Sequence, residues 1–527
     1  MNTEIKRNQK TIEEEIDVKS PTFLAPDKYL KILEDNDLHS NAEIYKKVLE
    51  ISEAIKDAGG RALLVGGSVR DVYFGKIPKD YDLEIYGLES EKVEEIVSKF
   101  GKINDVGKSY GVLKVSFGQG IDIDVSLPRK DSKVQEGHKG FHTNTNPYLS
   151  IEEASKRRDF TMNALAADPL NCELFDFFGG LQDIKDKRLR ITDKERFVED
   201  PLRALRAFQF IGRFGLKLEE EDFKIIKELA PQVKLEPEDR IREEWKKLLT
   251  KSEHPSIGLS AGMALGILQE IHPQFPPLAE TPQEPEWHPE GNAWIHTLMS
   301  VDWASELCDS VNLDENKKFT IILATLCHDL GKPETTELKD GRYISHGHEP
   351  AGEKPTREFL KSLNADNETT DKVIKLVVNH LAPSMLYISK EIKKEPVTDG
   401  AVRKLAKRIF PATIQELVLV AMADHMGRGP FTDPKFPEQL LLPDGYPAGP
   451  WLLKWARELS VEQSKPENVI MGKDLLNIGF KPGMEFGKII ELSNQLRDEK
   501  SMTRENILKI ILNCKSSTEA IESLMQA

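Results

Sequence analysis

The sequence is poor in cysteine, in basic surplus and in long apolar runs, and each shortage excludes something. Its four cysteines, Cys172, Cys308, Cys327 and Cys514, are scattered and form no Cys-x-x-Cys pair. That excludes a zinc ribbon or a disulfide framework and points to a reducing compartment, the cytoplasm. No stretch approaches the roughly eighteen apolar residues of a membrane span. Met1 to Ile16, polar and mixed in charge, lacks the apolar core of a signal peptide. The formal net charge is −15, so a nucleic-acid partner has to be held by local basic faces rather than by a generally basic surface. Two helix-compatible segments offer such faces: Arg240, Arg242, Lys246 and Lys247 in one, and Arg403, Lys404, Lys407 and Arg408 in the other.

What is present is an ordinary globular composition, 39% hydrophobic and 31% charged, over 527 residues, too long a chain for a single core. Residues 1–40 read as a polar leader. Asn41 to Ala58 has helical spacing (Ile44, Val48, Ile51, Ile55) and is stopped by Gly59-Gly60. Strand-like runs then alternate with helix: Ala62–Val65, Asp82–Ile85, a helix over Glu89–Phe100, Val112–Phe117 and Ile121–Val125. From Lys194 onward helices dominate. Pro276 to Pro289 and Gly427 to Pro450, rich in Pro and in Glu or Gly, read as linkers. The pattern predicts an α+β chain: a leader (1–40), an α/β head (41–190), a helical region (191–280), a second helical domain (281–430) and a helical tail (431–527).

The head carries the first chemistry. In Ala62-Leu-Leu-Val-Gly-Gly-Ser-Val-Arg-Asp71 a buried strand ends at Gly66-Gly67, where the backbone can approach a ligand. Ser68 then opens a helix bearing Arg70, so amides and a guanidinium converge on a phosphate. In Lys79-Asp-Tyr-Asp-Leu83, Asp80 and Asp82 share one strand face. Paired carboxylates beside a phosphate cradle suit Mg²⁺-assisted phosphoryl or nucleotidyl transfer. Ile121-Asp-Ile-Asp-Val125 places Asp122 and Asp124 on one face, and Asp124 is the candidate third metal carboxylate.

These segments occur in order with Arg157-Arg-Asp-Phe-Thr-Met-Asn-Ala164, which precedes a helix-compatible Phe160 to Ala167, and with Glu199-Asp-Pro-Leu-Arg-Ala-Leu-Arg206. Together they resemble the bacterial-type tRNA nucleotidyltransferase and poly(A) polymerase family, a branch of the polymerase β-like superfamily, over residues 60–250. The resemblance implies a nucleotidyltransferase head with Asp80 and Asp82 as catalytic Mg²⁺ ligands, and Gly67, Arg70, Arg158, Asp159, Asp200, Arg203 and Arg206 as nucleotide-binding residues. Arg158 is expected on phosphate and Asp159 on the ribose 2′-hydroxyl. The helix of Asp200 and Arg203 is expected to read the incoming base. Cytosine and adenine both present an amine donor beside a ring-nitrogen acceptor, which an aspartate and an arginine complement. The chain departs from many relatives at Gln209, where they carry a further arginine. Asp176-Phe-Phe-Gly-Gly-Leu-Gln-Asp183 resembles the family's hinge, and Pro128 to Pro147 its mobile loop.

A second chemistry follows. His296, His328-Asp329, His348, His380 and Asp424, with the doublet inside Leu326-Cys-His-Asp-Leu-Gly-Lys332, resemble the ligand set of HD-domain metal-dependent phosphohydrolases. His296, His328, Asp329 and Asp424 fit one metal and His348 and His380 a second, with His346 competing with His348. Imidazoles and carboxylates suit Mn²⁺, Ni²⁺, Mg²⁺ or Fe²⁺. A head followed by such a domain resembles the multifunctional bacterial enzymes that add C and A from CTP and ATP to a tRNA 3′ end and remove phosphates from damaged RNA ends. A poly(A) polymerase and a catalytically inactive RNA-binding or nucleotide-sensing module are the competing readings. The mixed charge of Lys500 to Ala527 favours tRNA over unspecific RNA. The oligomeric state is not legible.

Overall fold

The computed structural model describes residues 23–527 apart from 24, 37, 79, 105–111, 119–121, 134–140, 433–439 and 442–444. Two compact units form, residues 1–244 with 261–271, and residues 245–260 with 272–527. Among the described residues no helix is long and apolar enough to cross a membrane.

The first unit is built on a seven-stranded sheet of order β3-β4-β5-β2-β1-β8-β9. Its strands are β1 (Arg61–Val65), β2 (Tyr81–Tyr86), β3 (Lys102–Asn104), β4 (Val112–Ser116), β5 (Asp122–Ser126), β8 (Ala166–Ala167) and β9 (Leu174–Phe175). A separate hairpin of β6 (Arg129–Lys133) and β7 (Phe141–Thr145) occupies the segment expected as a mobile loop, whose centre lies outside the described residues. β1 and β2 are antiparallel, whereas β2 and β5 are parallel with Asp82 opposite Asp124. In β5 the alternation holds: Ile123 and Val125 are buried while Asp122 and Asp124 stay half-buried on the other face. Ile121, expected at the start of that strand, lies outside the described residues, as does Lys79.

Two expectations are corrected. The supposed leader contributes structure, because a helix over Pro26–Asp35 packs on the helix His39–Asp57, which in turn crosses β1, β2 and β5. Tyr29 is fully buried there, edge-on to Tyr45 at 4.7 Å between ring centroids, with its hydroxyl 3.1 Å from that of Tyr81. Local polarity hid this, since only Tyr29, Ile32 and Leu33 of the helix are buried. Nor is Phe160 to Ala167 a helix. It is a 3₁₀ turn, Thr161–Asn163, followed by β8. Its hydrogen-bonding capacity goes elsewhere: Thr161 N–H donates to Arg190 O and its hydroxyl to Asp183.

The second unit is helical with short β pairs, as the loss of strand signals predicts. The helix Glu315–Cys327 has every residue from Lys318 to Cys327 buried, the mark of a central helix. The segment around Pro276 to Pro289 is more than a linker: Leu278, Thr281 and Gln283 are buried. At the tail, helices Glu485–Lys500, Arg504–Leu512 and Ser517–Gln526 enclose a core of their own around Ile489, Leu492, Ile507 and Leu524.

If the Pro26–Asp35 helix belongs to the head, Tyr29→Ala removes a buried aromatic and costs about 3–5 kcal/mol. Urea titration followed by tryptophan-independent circular dichroism reads this. An unchanged midpoint would return the segment to the status of a leader.

Candidate active sites

In the head, strand register does the assembling. Asp80 and Asp82 bracket Tyr81 at the start of β2, and parallel pairing sets Asp124 beside Asp82. Burial pushes the Asp82 carboxyl up to about 6, with Asp124 and Asp80 adding to the rise against the pull of Arg158 and Arg70. Asp124 is raised as well, again chiefly by burial. Carboxylates lifted by desolvation and like charge are those a divalent cation stabilises, so the donor set fits Mg²⁺. These three do not draw their oxygens into one ion-sized cluster; among the described residues, such clusters occur in the second unit.

Arg158 reaches this face through Gly66, which has φ +67°; a Cβ there would stand 2.9 Å from Arg158 Nη1. Glu84, next on the same face of β2 and buried, lies 3.3 Å from Arg157 Nη2 and 3.6 Å from Arg158 Nη2. Gly67 opens the helix Gly67–Tyr73. Arg70 is enclosed: it donates to Asp71 at 2.7 Å and Asn163 at 2.6 Å, and its guanidinium lies 5.1 Å from both the Phe210 and Phe214 rings. Asn163 donates onward to Asp159, whose other oxygen accepts from Arg206 Nε at 2.6 Å. Burial would raise the Asp159 carboxyl, but Arg206, Asn163 and Arg203 outweigh it and hold it down near 2. Asp159, Arg206 and Arg70 thus form one chain of contacts.

The helix Leu202–Phe214 brings Arg203 to the carbonyls of Arg196 (2.8 Å) and Arg157 (2.9 Å). Asp200 caps it through Leu202 N–H, with Arg240 3.5 Å from its second oxygen. Arg240 is also 2.6 Å from Glu236 and Arg242 3.3 Å from Asp239, so both arginines of this basic face are paired with carboxylates. Gln209 is buried with its amide nitrogen unpartnered. In the segment expected as the hinge, Asp176 caps the helix Gly180–Lys185 by accepting from the Gly180 and Leu181 amides. Sequence reasoning overlooked Glu84 and Asn163. Glu84 had a signal, its two-residue step from Asp82.

In the second unit helix ends do the assembling. His296 lies in the helix Ala293–Ser310, His328 and Asp329 just past Glu315–Cys327, His348 at the start of His348–Ala351, His380 beyond Asn367–Val377, and Asp424 in Ile414–Met426. Their ring tautomers are dictated. Nδ1 of His328, His348 and His380 lies 2.6, 2.8 and 2.7 Å from the carbonyls of Thr325, Ser345 and Val377. Nδ1 of His296 is 2.9 Å from Glu290 Oε1. A carbonyl can only accept, so in His328, His348 and His380 Nδ1 carries the proton and Nε2 presents a lone pair, while the His296 Nε2 faces the Asp424 carboxylate.

Those lone pairs converge. Nε2 of His328 is 3.3 Å from that of His296, and Nε2 of His348 is 3.3 Å from that of His380. Asp329 spans the two pairs, Oδ2 at 3.3 Å from His328 and Oδ1 at 3.7 Å from His348. Asp424 Oδ1 is 3.0 Å from His296. Burial would raise the Asp329 carboxyl, yet His328 and Lys332 outweigh it and hold it well below the usual range. Lys332 Nζ lies 2.7 Å from its Oδ2. Facing imidazole lone pairs and a shared carboxylate are a cation-binding arrangement, and two trios with Asp329 in common fit two divalent ions. His348, not His346, supplies the inward nitrogen; His346 is exposed. The sequence pattern did not single out Glu290, which fixes His296, or His288, 2.8 Å from the same Glu290 oxygen.

A small α/β head with strand-borne carboxylates, joined to a helical unit with an HD-type histidine–aspartate centre, defines a nucleotidyltransferase carrying an HD domain. Residues 62–190 match the poly A polymerase head domain family, 215–278 a family described as "Probable RNA and SrmB- binding site of polymerase A", and 293–426 the HD domain family. The multifunctional CCA protein of Pasteurella multocida (strain Pm70) is 30% identical over 389 residues, covering 72% of this chain and 87% of that one. The chain belongs to this family. In fold it resembles the Bacillus stearothermophilus CCA-adding enzyme solved in complex with CTP (TM-score 0.58, 22% identity, 87% of this chain and 93% of that). It likewise resembles the Thermotoga maritima CCA-adding enzyme solved with tRNA (TM-score 0.53, 18% identity, 92% and 95%).

Two substitutions test the geometry. Glu84→Ala strands two adjacent guanidiniums and is expected to cost about 1.5–3 kcal/mol in urea unfolding, with Glu84→Gln recovering part; equal stability would show the pairing to be idle. In the second unit a Cβ on Gly331 would fall 2.0 Å from His348 O. Gly331→Ala therefore displaces His348 and should lower the divalent metal bound per chain, read by elemental analysis of the folded protein. Full metal retention would contradict the placement of His348 as a ligand.

Proposed function

We propose that the head adds C, A or both from CTP and ATP to the 3′ end of tRNA with release of pyrophosphate, and that the HD unit hydrolyses phosphate esters at RNA 3′ ends. The observation that carries the first part is the register placing Asp124 beside Asp82, with Arg158 brought over Gly66 to the same face. Asp80 and Asp82, with Asp124 as third carboxylate, would hold Mg²⁺, which supplies acidity to the RNA 3′-hydroxyl and charge compensation at the α-phosphate. The chain's own groups do the rest. Arg158 and Arg206 pair with triphosphate oxygens, Gly67 offers its amide, and Asp159, held by Arg206 and Asn163, accepts a further hydrogen bond from the ribose hydroxyl. Asp200 accepts from the exocyclic amine and Arg203 donates to the ring nitrogen. Guanine and uracil reverse that order, so they leave buried polar groups unpaired and are rejected. Arg70, enclosed by Asp71 and Asn163, orients the Asp159 side of the pocket.

The second part rests on the converging histidine nitrogens around Asp329. His296, His328, Asp329 and Asp424 would hold one divalent ion and Asp329, His348 and His380 another; Mn²⁺, Ni²⁺, Mg²⁺ and Fe²⁺ suit these donors, and the bound ion supplies an acidified water. Lys332 holds Asp329 in place and faces the incoming phosphate. We assign residues 26–190 to the head, 191–280 to the neck, 281–430 to the HD domain and 431–527 to the tail, and place the protein in the cytoplasm with its tRNA.

Separate variants test the two parts on tRNA lacking its last three nucleotides. Asp82→Asn is expected to cut addition at least about 100-fold while leaving intact the two successive hydrolyses, ring opening and then loss of the phosphomonoester, that clear a 2′,3′-cyclic end. Asp329→Asn should do the reverse, extending a free 3′-hydroxyl at the wild-type rate and failing on the cyclic phosphate. Wild-type addition by Asp82→Asn would overturn the head assignment, and extension of the blocked tRNA by Asp329→Asn would overturn the role of the HD unit.

A further inference from the structure

The histidine–aspartate centre lies at the base of a cavity of about 580 Å³. Two of its wall residues are conspicuous for what they leave exposed. Trp287 is 56% exposed and Met385 is 62% exposed, and both line this cavity with the metal-ligand residues Asp329, His348, His380 and Asp424. Large apolar side chains left open at the wall of a charged cavity are recognition surfaces rather than core. Trp287 is held there deliberately. The hairpin Glu337–Lys339 and Arg342–Ile344 is tied to the flanking segment by Tyr343 N–H to Glu284 (3.0 Å) and by Arg342 to Glu286 (2.9 Å). Lys332 and Arg428 line the same cavity and supply positive charge beside the centre.

A second cavity of about 470 Å³ adjoins the first, sharing Met385 and Glu349 with it. It contains none of the histidine or aspartate ligands. Lys404 and Arg408 line it, both on the basic helix Asp399–Ile409. Lys404 makes an exposed pair with Glu499 at 3.1 Å, which is a weak restraint. Arg408 pairs with no other described residue.

We propose that these two cavities form a binding track for a single-stranded RNA end. The terminal nucleotide occupies the first, its base between Trp287 and Met385 and its phosphate at the metal centre. The preceding phosphate lies in the second, against Arg408 and Lys404. The inference rests on the phosphohydrolase reading and narrows it, from phosphate esters in general to nucleotides within a chain. Aromatic stacking accepts any base, so the track selects a polynucleotide end without selecting its sequence. Arg408 distinguishes a strand from a mononucleotide, since only a strand brings a second phosphate.

Three cyclic phosphates that undergo the same hydrolysis separate these statements: a base-free methyl riboside 2′,3′-cyclic phosphate, cytidine 2′,3′-cyclic phosphate, and a tetraribonucleotide ending in a 2′,3′-cyclic phosphate. Trp287→Ala is expected to raise KM roughly tenfold for the two substrates with a base and to leave the base-free one unchanged, with Trp287→Phe intermediate. Arg408→Glu should raise KM for the tetranucleotide alone. Fluorescence anisotropy of the labelled tetranucleotide, with metal chelated, reads both losses without turnover. Equal loss on the base-free compound, or unchanged nucleotide KM and anisotropy in Trp287→Ala, would overturn the base clamp. An Arg408→Glu defect shared by the mononucleotide would overturn the upstream subsite. If the wild type hydrolyses none of the three with any of the four divalent metals, the phosphohydrolase reading falls, and anisotropy alone then decides whether the track binds RNA.

Discussion

Carboxylates held out of water beside one another are the constraint on which both sites depend. Burial alone raises a carboxyl pKa, and a second carboxylate nearby raises it further. In the head this combination lifts Asp82 to about 6, because parallel pairing of β2 with β5 leaves Asp124 no room to avoid it. The same strand face continues to Glu84, where the crowding is relieved by Arg157 and Arg158. One strand therefore grades from an under-compensated end at Asp82 to a compensated end at Glu84. On the proposed reading a divalent cation sits at the first end, and the arginines that meet a polyanionic ligand are anchored at the second.

The HD unit meets the constraint differently. Asp329 and Asp424 are pulled well below the ordinary carboxylate range, so they stay ionised despite being buried. The histidines around them are held by acceptors on their outer nitrogens. Fixing Nδ1 leaves Nε2 aimed inward, so the site is rigid before any ion arrives and little reorganisation accompanies binding. Helices suit this role because the last turn of each offers free carbonyls. Thr325 and Val377, three residues before His328 and His380, are such positions.

Local chemistry was legible in the sequence, and long-range pairing was not. The Asp80/Asp82 and Asp122/Asp124 alternations, the His-Asp doublet and the helix His39–Asp57 all rest on residues a few positions apart. The structure sets Asp82 opposite Asp124 and forms the helix much as the period implies, while Asp80 lies exposed just before β2. What failed depends on partners distant in sequence. Tyr29 sits in a polar helix whose burial is set by Tyr45 and Tyr81. Phe160 to Ala167 has helical composition, yet Thr161 is claimed by Arg190 and Asp183 and Ala166 by Val65. Glu290 and Trp287 lay in a Pro-rich stretch whose composition announces a loop without indicating that the loop walls a cavity. The choice between His346 and His348 needed direction, which two histidines two residues apart cannot supply without the backbone between them.

The two sites also differ in what sets their selectivity. In the head the polar side chains already engage one another: Asp159 with Arg206 and Asn163, Arg203 with two carbonyls, Asp200 with a helix amide. A ligand entering such a network must match donors and acceptors already oriented, and a mismatch costs the desolvation of each group it leaves unpaired. The walls of the HD cavity are instead an indole, a thioether and cations, which respond to flatness and charge and not to hydrogen-bond order. A template-independent addition needs the first kind of surface, because the protein alone chooses the base. Clearing a damaged end needs the second, because damage leaves any base at the terminus. The division of the chain into a sheet-based unit and a helical one follows that difference. Register in a sheet fixes the relative positions of polar groups closely, while the ends of several helices converge on ions and leave an open mouth above them.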